Sequence, residues 1–332
     1  MSGLRVRTGP AGSRILGVGG YRPTRVVDNN EVCAVLDSDD EWIRRRSGIV
    51  RRRYAGPDET VVSMGTAAAL KACAEAGASP RDIDLVLLAT MSHLEQSPPA
   101  APRVALGIGA EGAAAVDVGA ACAGFCHALA LADAAVRSGT ARLVVVVGSE
   151  RMSDLVDPAD RSTAFLFGDG AGAVVVGPAE EPGIGPTVWG SDGTRDRLIA
   201  HESGWPGARE GSARRPVMRM AGPEVFRWAT RVVPEIGREA MRAAGVGPGE
   251  LAAFVPHQAN VRIVNSAARA LGIGEHTVVA RDIEEAGNTS AASIPLALDA
   301  LRSQGLLSPG DPALLVGFGA GLSHAAQVVR LP

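Results

Sequence analysis

Lysine is nearly missing from this chain. Of its 33 basic residues, Lys71 alone is a lysine and the others are arginines, a bias that fits a GC-rich coding sequence and carries no function. Aromatic residues make up only 4%, so any core must be built from Ala, Val, Leu and Ile. Cysteine is scarce as well. Cys33, Cys73, Cys122 and Cys126 lack metal-ligand spacing, which argues against a structural metal or a disulfide framework. No apolar run approaches the roughly 20 residues that a membrane span needs, and residues 1–10 carry no apolar signal segment. The formal net charge is −3, which gives no whole-protein case for nucleic acid. The expectation is a soluble, reduced, cytoplasmic protein, with no nucleic-acid or membrane partner and no metal.

What is present is a globular mixture: 332 residues, 46% of them hydrophobic. That is enough for a large core, in about two domains or one duplicated unit. Short apolar runs alternate with amphipathic stretches, the mark of an α/β fold. Strands are expected at Arg14–Gly17, Leu85–Ala89, Ala114–Asp117, Leu143–Gly148, Ala173–Val176, Ala252–Pro256, Ala313–Val316 and Ala325–Arg330. Helices are expected at Ser63–Ala76, Ala123–Ser138, Glu224–Ala244, Val261–Leu271 and Ile294–Gln304. An internal repeat stands out. Ala76-Gly77-x-x-Pro80-x-Asp82 before an apolar run recurs 168 positions later as Ala244-Gly245-x-x-Pro248-x-Glu250. A second echo pairs Gly168–Gly172 with Gly317–Gly321. The chain therefore divides into halves 1–178 and 179–332, with active groups expected where loops of both halves meet.

Cys122 sits between a strand and a helix, at a helix N-terminus whose unpaired N–H groups favour a thiolate. A buried structural cysteine is the plainer reading of the same position, and Cys126, one turn on, reads as packing. His257 follows a strand end and precedes a helix, as a site histidine or as a capping or core histidine. Asn288 lies in Gly287–Ser293, which by itself reads as a turn and N-cap. The turn at Gly317–Gly321 can aim backbone N–H groups at an oxyanion or simply join two strands. Gly107-x-Gly109-x-x-Gly112 precedes a strand instead of opening a helix, so it is discounted as a dinucleotide fingerprint. Arg44–Arg46 and Arg51–Arg53 form either a solvated basic face or a phosphate-binding cluster near Trp42.

Taken together, these segments resemble β-ketoacyl-[acyl-carrier-protein] synthase III, a condensing enzyme of the thiolase superfamily. The resemblance is carried by Ala120–Phe125, Pro256–Asn260, Gly287–Ser293, Asp40–Ile43, Asp160-Arg161 with Phe167–Gly172, and Gly317–Ser323. It implies a thiolase-like fold with duplicated βαβαβαββ halves in a five-layered αβαβα arrangement. It implies a triad of Cys122, His257 and Asn288, and an oxyanion hole from the N–H groups of Cys122 and the Gly319–Ala320 turn. Acyl-CoA would enter as substrate, with no cofactor. Trp42 and Arg161 would sandwich its adenine, Ser38 and Arg46 would lie near its phosphates, and Asn260 would meet the pantetheine arm. Arg227, Arg262 and Arg269 would receive an acidic carrier protein bearing malonate. Ser97, reaching across a homodimer, and Phe318 would shape the acyl pocket; where some relatives carry a bulky aromatic, the small Ser97 implies room for a longer or branched primer. His324 and the stretch 204–216 depart from the family pattern.

Four competing readings remain. A thiolase needs a second cysteine near the C-terminal glycine-rich loop, and none follows Cys126. A chalcone-synthase-like enzyme has a proline where this chain has Ala320. An acyltransferase of the same fold would pass the acyl group to a hydroxyl or amine without decarboxylation. A scaffold subunit would be expected to lose the nucleophile.

Overall fold

The computed structural model describes Leu4, residues 7–202 and residues 216–332. Apart from Pro216, the divergent stretch 204–216 lies outside the described residues.

The first half contains β1 (Gly12–Tyr21), β2 (Arg25–Asp28), α1 (Asn29–Cys33), α2 (Asp40–Ser47), β3 (Arg51–Tyr54), α3 (Val61–Ala76), β4 (Leu85–Ala89), α4 (Ala101–Ile108), β5 (Ala114–Val118), α5 (Gly124–Arg137), β6 (Val144–Arg151) and β7 (Asp169–Ala179). The second contains β8 (Val188–Ser191), β9 (Ile199–Glu202), β10 (Val217–Met220), α6 (Gly222–Ala244), β11 (Ala253–Pro256), α7 (Val261–Leu271), β12 (Val278–Val279), α8 (Ile283–Ala286), α9 (Ser293–Ser303), β13 (Pro312–Gly319) and β14 (Ser323–Arg330).

Two five-stranded sheets repeat one another. Their orders are β1-β7-β6-β4-β5 and, read from the matching edge, β8-β14-β13-β11-β12. In each the three central-to-far-edge strands run parallel and the remaining pairs antiparallel. The repeat read from sequence holds to the residue. Gly77 and Gly245 each cap a helix in the left-handed conformation, at φ 62° and 68°, and β4 and β11 begin 168 positions apart at Leu85 and Ala253. The second echo is looser. Gly168–Gly172 runs into the start of β7, whereas Gly317–Gly319 ends β13, so the two motifs share a strand junction but not a register. Strand β7 runs one residue past the division drawn at 178.

The run Val144–Val147 shows why the strands are continuously apolar. Val144 and Val146 face one core with α5 and α9, while Val145 and Val147 face a second core with α3 and α4. Both faces of such a sheet are buried, so no polar alternation remains. The second sheet repeats this. Ala313 and Leu315 join the α5/α9 core, and Leu314 and Val316 face α6 and α7. The resulting layers are α3/α4, sheet, α5/α9, sheet and α6/α7, the five-layered thiolase-like arrangement.

The sequence reading passed over several elements, of which α2, β9 and β10 border the site cavity. The β2–β3 hairpin, helices α1, α2, α4 and α8, and strands β8, β9, β10 and β12 are short, and short segments carry little periodicity. The arginine run does not form one basic face. Arg44 pairs with Asp40 on α2 and Arg51 with Glu285, but Arg52 is fully buried, donating to Asn29 Oδ1 at 2.9 Å and to the Phe165 carbonyl at 2.8 Å. The turn between α2 and β3 splits the run and sends one cation inward.

The halves meet backbone to backbone. A Cβ at Gly148, in the middle of β6, would lie 2.4 Å from the Ala291 carbonyl oxygen and 3.0 Å from the Ala292 Cα. Gly148→Ala should therefore force the halves apart, lowering stability by about 1–3 kcal/mol. Thermal unfolding checks this, and an unchanged Tm would contradict the contact.

Candidate active site

The middle layer aims two short 3-10 turns at each other. Ala121–Ala123 leads into α5, and Ser290–Ala292 leads into α9. Each turn opens on a non-glycine residue in the left-handed region, Ala121 at φ 44° and Ser290 at φ 49°. Strain of this kind persists only where the surroundings enforce it. Cys122 follows Ala121, one turn ahead of the helix proper. On its other side Gly319 closes the site: a Cβ there would lie 2.7 Å from the Cys122 Cβ and 3.2 Å from its Sγ. Ala320 follows, half-buried.

His257 lies past the end of β11, and its backbone N–H donates to the Val316 carbonyl at 2.8 Å. The ring is buried, packs edge-on against Phe318 at 5.1 Å, and holds its Nδ1 2.7 Å from the Ser293 hydroxyl. Asn288 is bolted to the first half through its own backbone. Its N–H donates to the Leu166 carbonyl at 2.8 Å, and its carbonyl accepts from the Gly168 N–H at 3.1 Å. Its Oδ1 accepts from the Ser290 N–H at 2.9 Å, which leaves the side-chain NH₂ as a donor.

Cys122, His257, Asn288, Phe318 and Gly319 line one cavity of about 410 Å³. Its more exposed wall includes Arg46, Arg227, Asn260 and Arg262. The triad expected from sequence is thus gathered around a single space, with Phe318 beside it. Asn260 caps α7 by accepting the Arg262 N–H at 2.9 Å and donates to the Arg46 carbonyl at 3.1 Å. The Arg262 guanidinium lies over Phe226 at 4.9 Å, Arg227 is exposed beside Glu224, and Arg269 is exposed further along α7. Arg161 stacks on Trp42 at 4.9 Å; an adenine between them requires a gap of about 7 Å, two van der Waals layers. Ser38 is half-buried with its hydroxyl unpartnered, away from the cavity lining. Ser97 is exposed and does not reach the cavity of its own chain.

The electrostatics correct one expectation. A thiolate was anticipated at the helix start, but burial pushes the Cys122 thiol up, to about 12. The Ser290 hydroxyl opposes this; it is fully buried and close, though without a hydrogen bond of good geometry. Loss of water outweighs the help that Ser290 and the Cys122 backbone N–H offer, because a buried anion forfeits its hydration. Burial likewise drives His257 down, to about 3, so the ring is neutral at physiological pH. Cys126 is buried against Gly317 as packing. His127, on α5, stacks on Trp189 and meets the Ser323 hydroxyl at 3.0 Å.

Sequence reasoning missed Glu150. Fully buried at the end of β6, it accepts from Thr90 Oγ1 at 3.1 Å, the Met91 N–H at 3.1 Å and Ser92 Oγ at 2.5 Å, and it reaches the Ala291 N–H at 3.4 Å. It thereby ties the loop after β4 to the turn beside Cys122. No local signal marks it, because its partners come from two distant segments.

The repeated halves, and a cysteine at the head of the central helix facing a histidine and an asparagine, define the class of thiolase-fold transferases. Comparison with known proteins refines this. Family models for 3-oxoacyl-[acyl-carrier-protein] synthase III and for its C-terminal part match residues 116–193 and 241–331. The chain is 50% identical to β-ketoacyl-[acyl-carrier-protein] synthase III 1 of Streptomyces coelicolor, covering all of both chains. It is 49% identical to the mycobacterial β-ketoacyl-[acyl-carrier-protein] synthase III of Mycobacterium avium, covering 100% of this chain and 99% of that one. The crystal structure of the priming β-ketosynthase from the R1128 polyketide biosynthetic pathway superposes with a TM-score of 0.97 at 52% identity, covering 100% and 99% of the two chains. The chain belongs to the β-ketoacyl-[acyl-carrier-protein] synthase III family.

With its thiol held protonated, Cys122 should react slowly with iodoacetamide at neutral pH. The rate should climb with pH without levelling below about pH 9, the ordinary thiol value. An inflection near pH 6–7, where a thiolate stabilised by its surroundings titrates, would contradict this.

Proposed function

We propose that this protein carries out the first condensation of a fatty acid or polyketide pathway. Cys122 attacks an acyl-CoA thioester: a bond forms from its sulfur to the acyl carbon, the bond from that carbon to the CoA sulfur breaks, and the Cys122 proton leaves on CoA as its thiol. The N–H groups of Cys122 and of the Gly319–Ala320 turn hold the oxyanion. Malonyl-carrier protein then docks at Arg227, Arg262 and Arg269. His257 and Asn288 donate hydrogen bonds to the malonyl thioester carbonyl, stabilising the enolate left as CO₂ departs. The enolate carbon attacks the acyl carbon on Cys122, and the sulfur leaves as 3-oxoacyl-carrier protein forms.

One observation carries this reading. A buried cysteine, a histidine held neutral by burial and an asparagine whose amide is free to donate share one cavity. A neutral histidine suits hydrogen-bond donation to an enolate, and each such donor is worth roughly 2.7–4 kcal/mol. In this scheme acyl-CoA is a substrate and no cofactor takes part. Trp42 and Arg161 open to admit the adenine, while Ser38, Arg46 and Asn260 meet the phosphates and the pantetheine arm.

The protein acts as a homodimer through its first half. Edge strand β5 leaves Val116 51% exposed, and Leu94 and Leu106 are exposed nearby in sequence. Across that dimer Ser97 borders the partner's acyl pocket and leaves space for a longer or branched primer. Among the described residues no helix is long and apolar enough to cross a membrane, and all four cysteines are free; both agree with work in a reduced cytoplasm.

Incubation with labelled acyl-CoA should add one acyl mass per chain, and Cys122→Ala should abolish it. His257→Ala and Asn288→Ala should keep acylation but lose CO₂ release from malonyl-carrier protein by about 10²–10³-fold. Undiminished CO₂ release in both variants would refute the division of roles.

A further inference from the structure

The neutral His257 ring carries one ring proton, and its place decides what the ring can do. With the proton on Nε2 the ring donates into the cavity. With the proton on Nδ1 the cavity meets a lone pair, which serves a base that strips a proton from a hydroxyl or amine. The surroundings of Nδ1 discriminate between these states. Nδ1 lies 2.7 Å from the Ser293 hydroxyl oxygen, and both residues are buried. The same oxygen lies 3.3 Å from the backbone N–H of Gln258, which can only donate. Ser293 thus already accepts one hydrogen bond. Among the described residues its hydroxyl proton finds no acceptor other than Nδ1. Were Nδ1 protonated, two donors would converge on that oxygen, and its own proton would be left without an acceptor among the described residues. On the far side of the ring Nε2 has no protein partner among the described residues, and His257 lines the cavity.

We infer that Ser293 is a positioning residue that donates to His257 Nδ1 and so fixes the ring as the Nε2–H tautomer, a hydrogen-bond donor instead of a base. Its place in the fold gives it the rigidity this needs. Ser293 opens α9 directly after the strained Ser290–Ala292 turn, in the same segment as Asn288. One motif, Gly287–Ser293, therefore supplies a donor through Asn288 and sets the proton of the other through Ser293. The consequence is a choice of chemistry. A site with two donors stabilises an enolate, whereas acyl transfer to a hydroxyl or amine calls for a base at this position. The inference rests on the condensation reading for its role in turnover, but the tautomer itself does not depend on that reading.

The test has two arms. Nitrogen-15 NMR of the resting, full-length protein with labelled histidine, assigned against His257→Asn, reads the tautomer directly and needs no other variant. The His257 signal should show a protonated Nε2 and an unprotonated, hydrogen-bonded Nδ1; a protonated Nδ1 overturns the inference. In the second arm, Ser293→Ala should lower CO₂ release from malonyl-carrier protein by about 10- to 100-fold, the range for partners that orient a functional histidine. Acylation of Cys122 should be unchanged, and Ser293→Thr, which keeps the hydroxyl, should restore release. Unchanged release in Ser293→Ala, or loss of acylation along with it, overturns the positioning role. If the wild type shows the Nε2–H tautomer yet releases no CO₂, the condensation reading fails while the assignment of the tautomer stands.

Discussion

The structure depends on one kind of contact: the backbone of one half lies against the backbone of the other with no side chain between. Gly148 lies against the Ala291–Ala292 turn, and Gly317 lies against the Ala123 backbone. Each glycine lies within a strand of one half, and each neighbour belongs to a 3-10 turn that opens the central helix of the other. The exchange is reciprocal because the halves are repeats. A methyl group at either place would push a turn away, and the cysteine or the asparagine with it. Small residues at these contacts, together with an alanine- and valine-rich core, explain how a chain with so few aromatics packs two sheets around two buried helices.

The same closeness sets the electrostatics. Both reactive groups are buried, so Cys122 rests as a thiol and His257 as a neutral ring. Linkage makes this visible in stability. Between about pH 6.5 and about 3 the unfolded chain binds the His257 proton and the native chain does not, so stability is lost on acidification. Above pH 9 the unfolded chain releases the Cys122 proton that the native chain retains up to about 12, so stability is lost on alkalinisation too. A neutral pair suits a site where charge develops only during reaction, on an enolate or an oxyanion, and meets donors already in place.

Much of this was legible in the sequence, for identifiable reasons. The strand and helix cores carried strong periodicity; Leu85–Ala89 and Val261–Leu271 match the structure end to end. The repeat at Ala76 and Ala244 fixed the pairing of the halves, and three separate motifs pointed to Cys122, His257 and Asn288. What stayed hidden depends on distance along the chain. Arg52 looked like a member of a basic run and lies in the core because Asn29 and the Phe165 carbonyl meet it there. Glu150 gains meaning only from Ser92 and Ala291, and Ser293 only from His257 and Gln258. The state of the Cys122 thiol was misread because a helix start is visible in sequence, whereas burial by the opposite half is not.

The central claim is that two donors from the second half face an acyl group held on the first. A crystal structure of the acylated enzyme bound to a non-decarboxylating malonyl-carrier mimic tests it most directly. The account predicts the acyl group on Cys122 Sγ and the mimic's thioester carbonyl within hydrogen-bond distance of both His257 Nε2 and Asn288 Nδ2. A carbonyl held by other groups, or an acyl group on another residue, would contradict it.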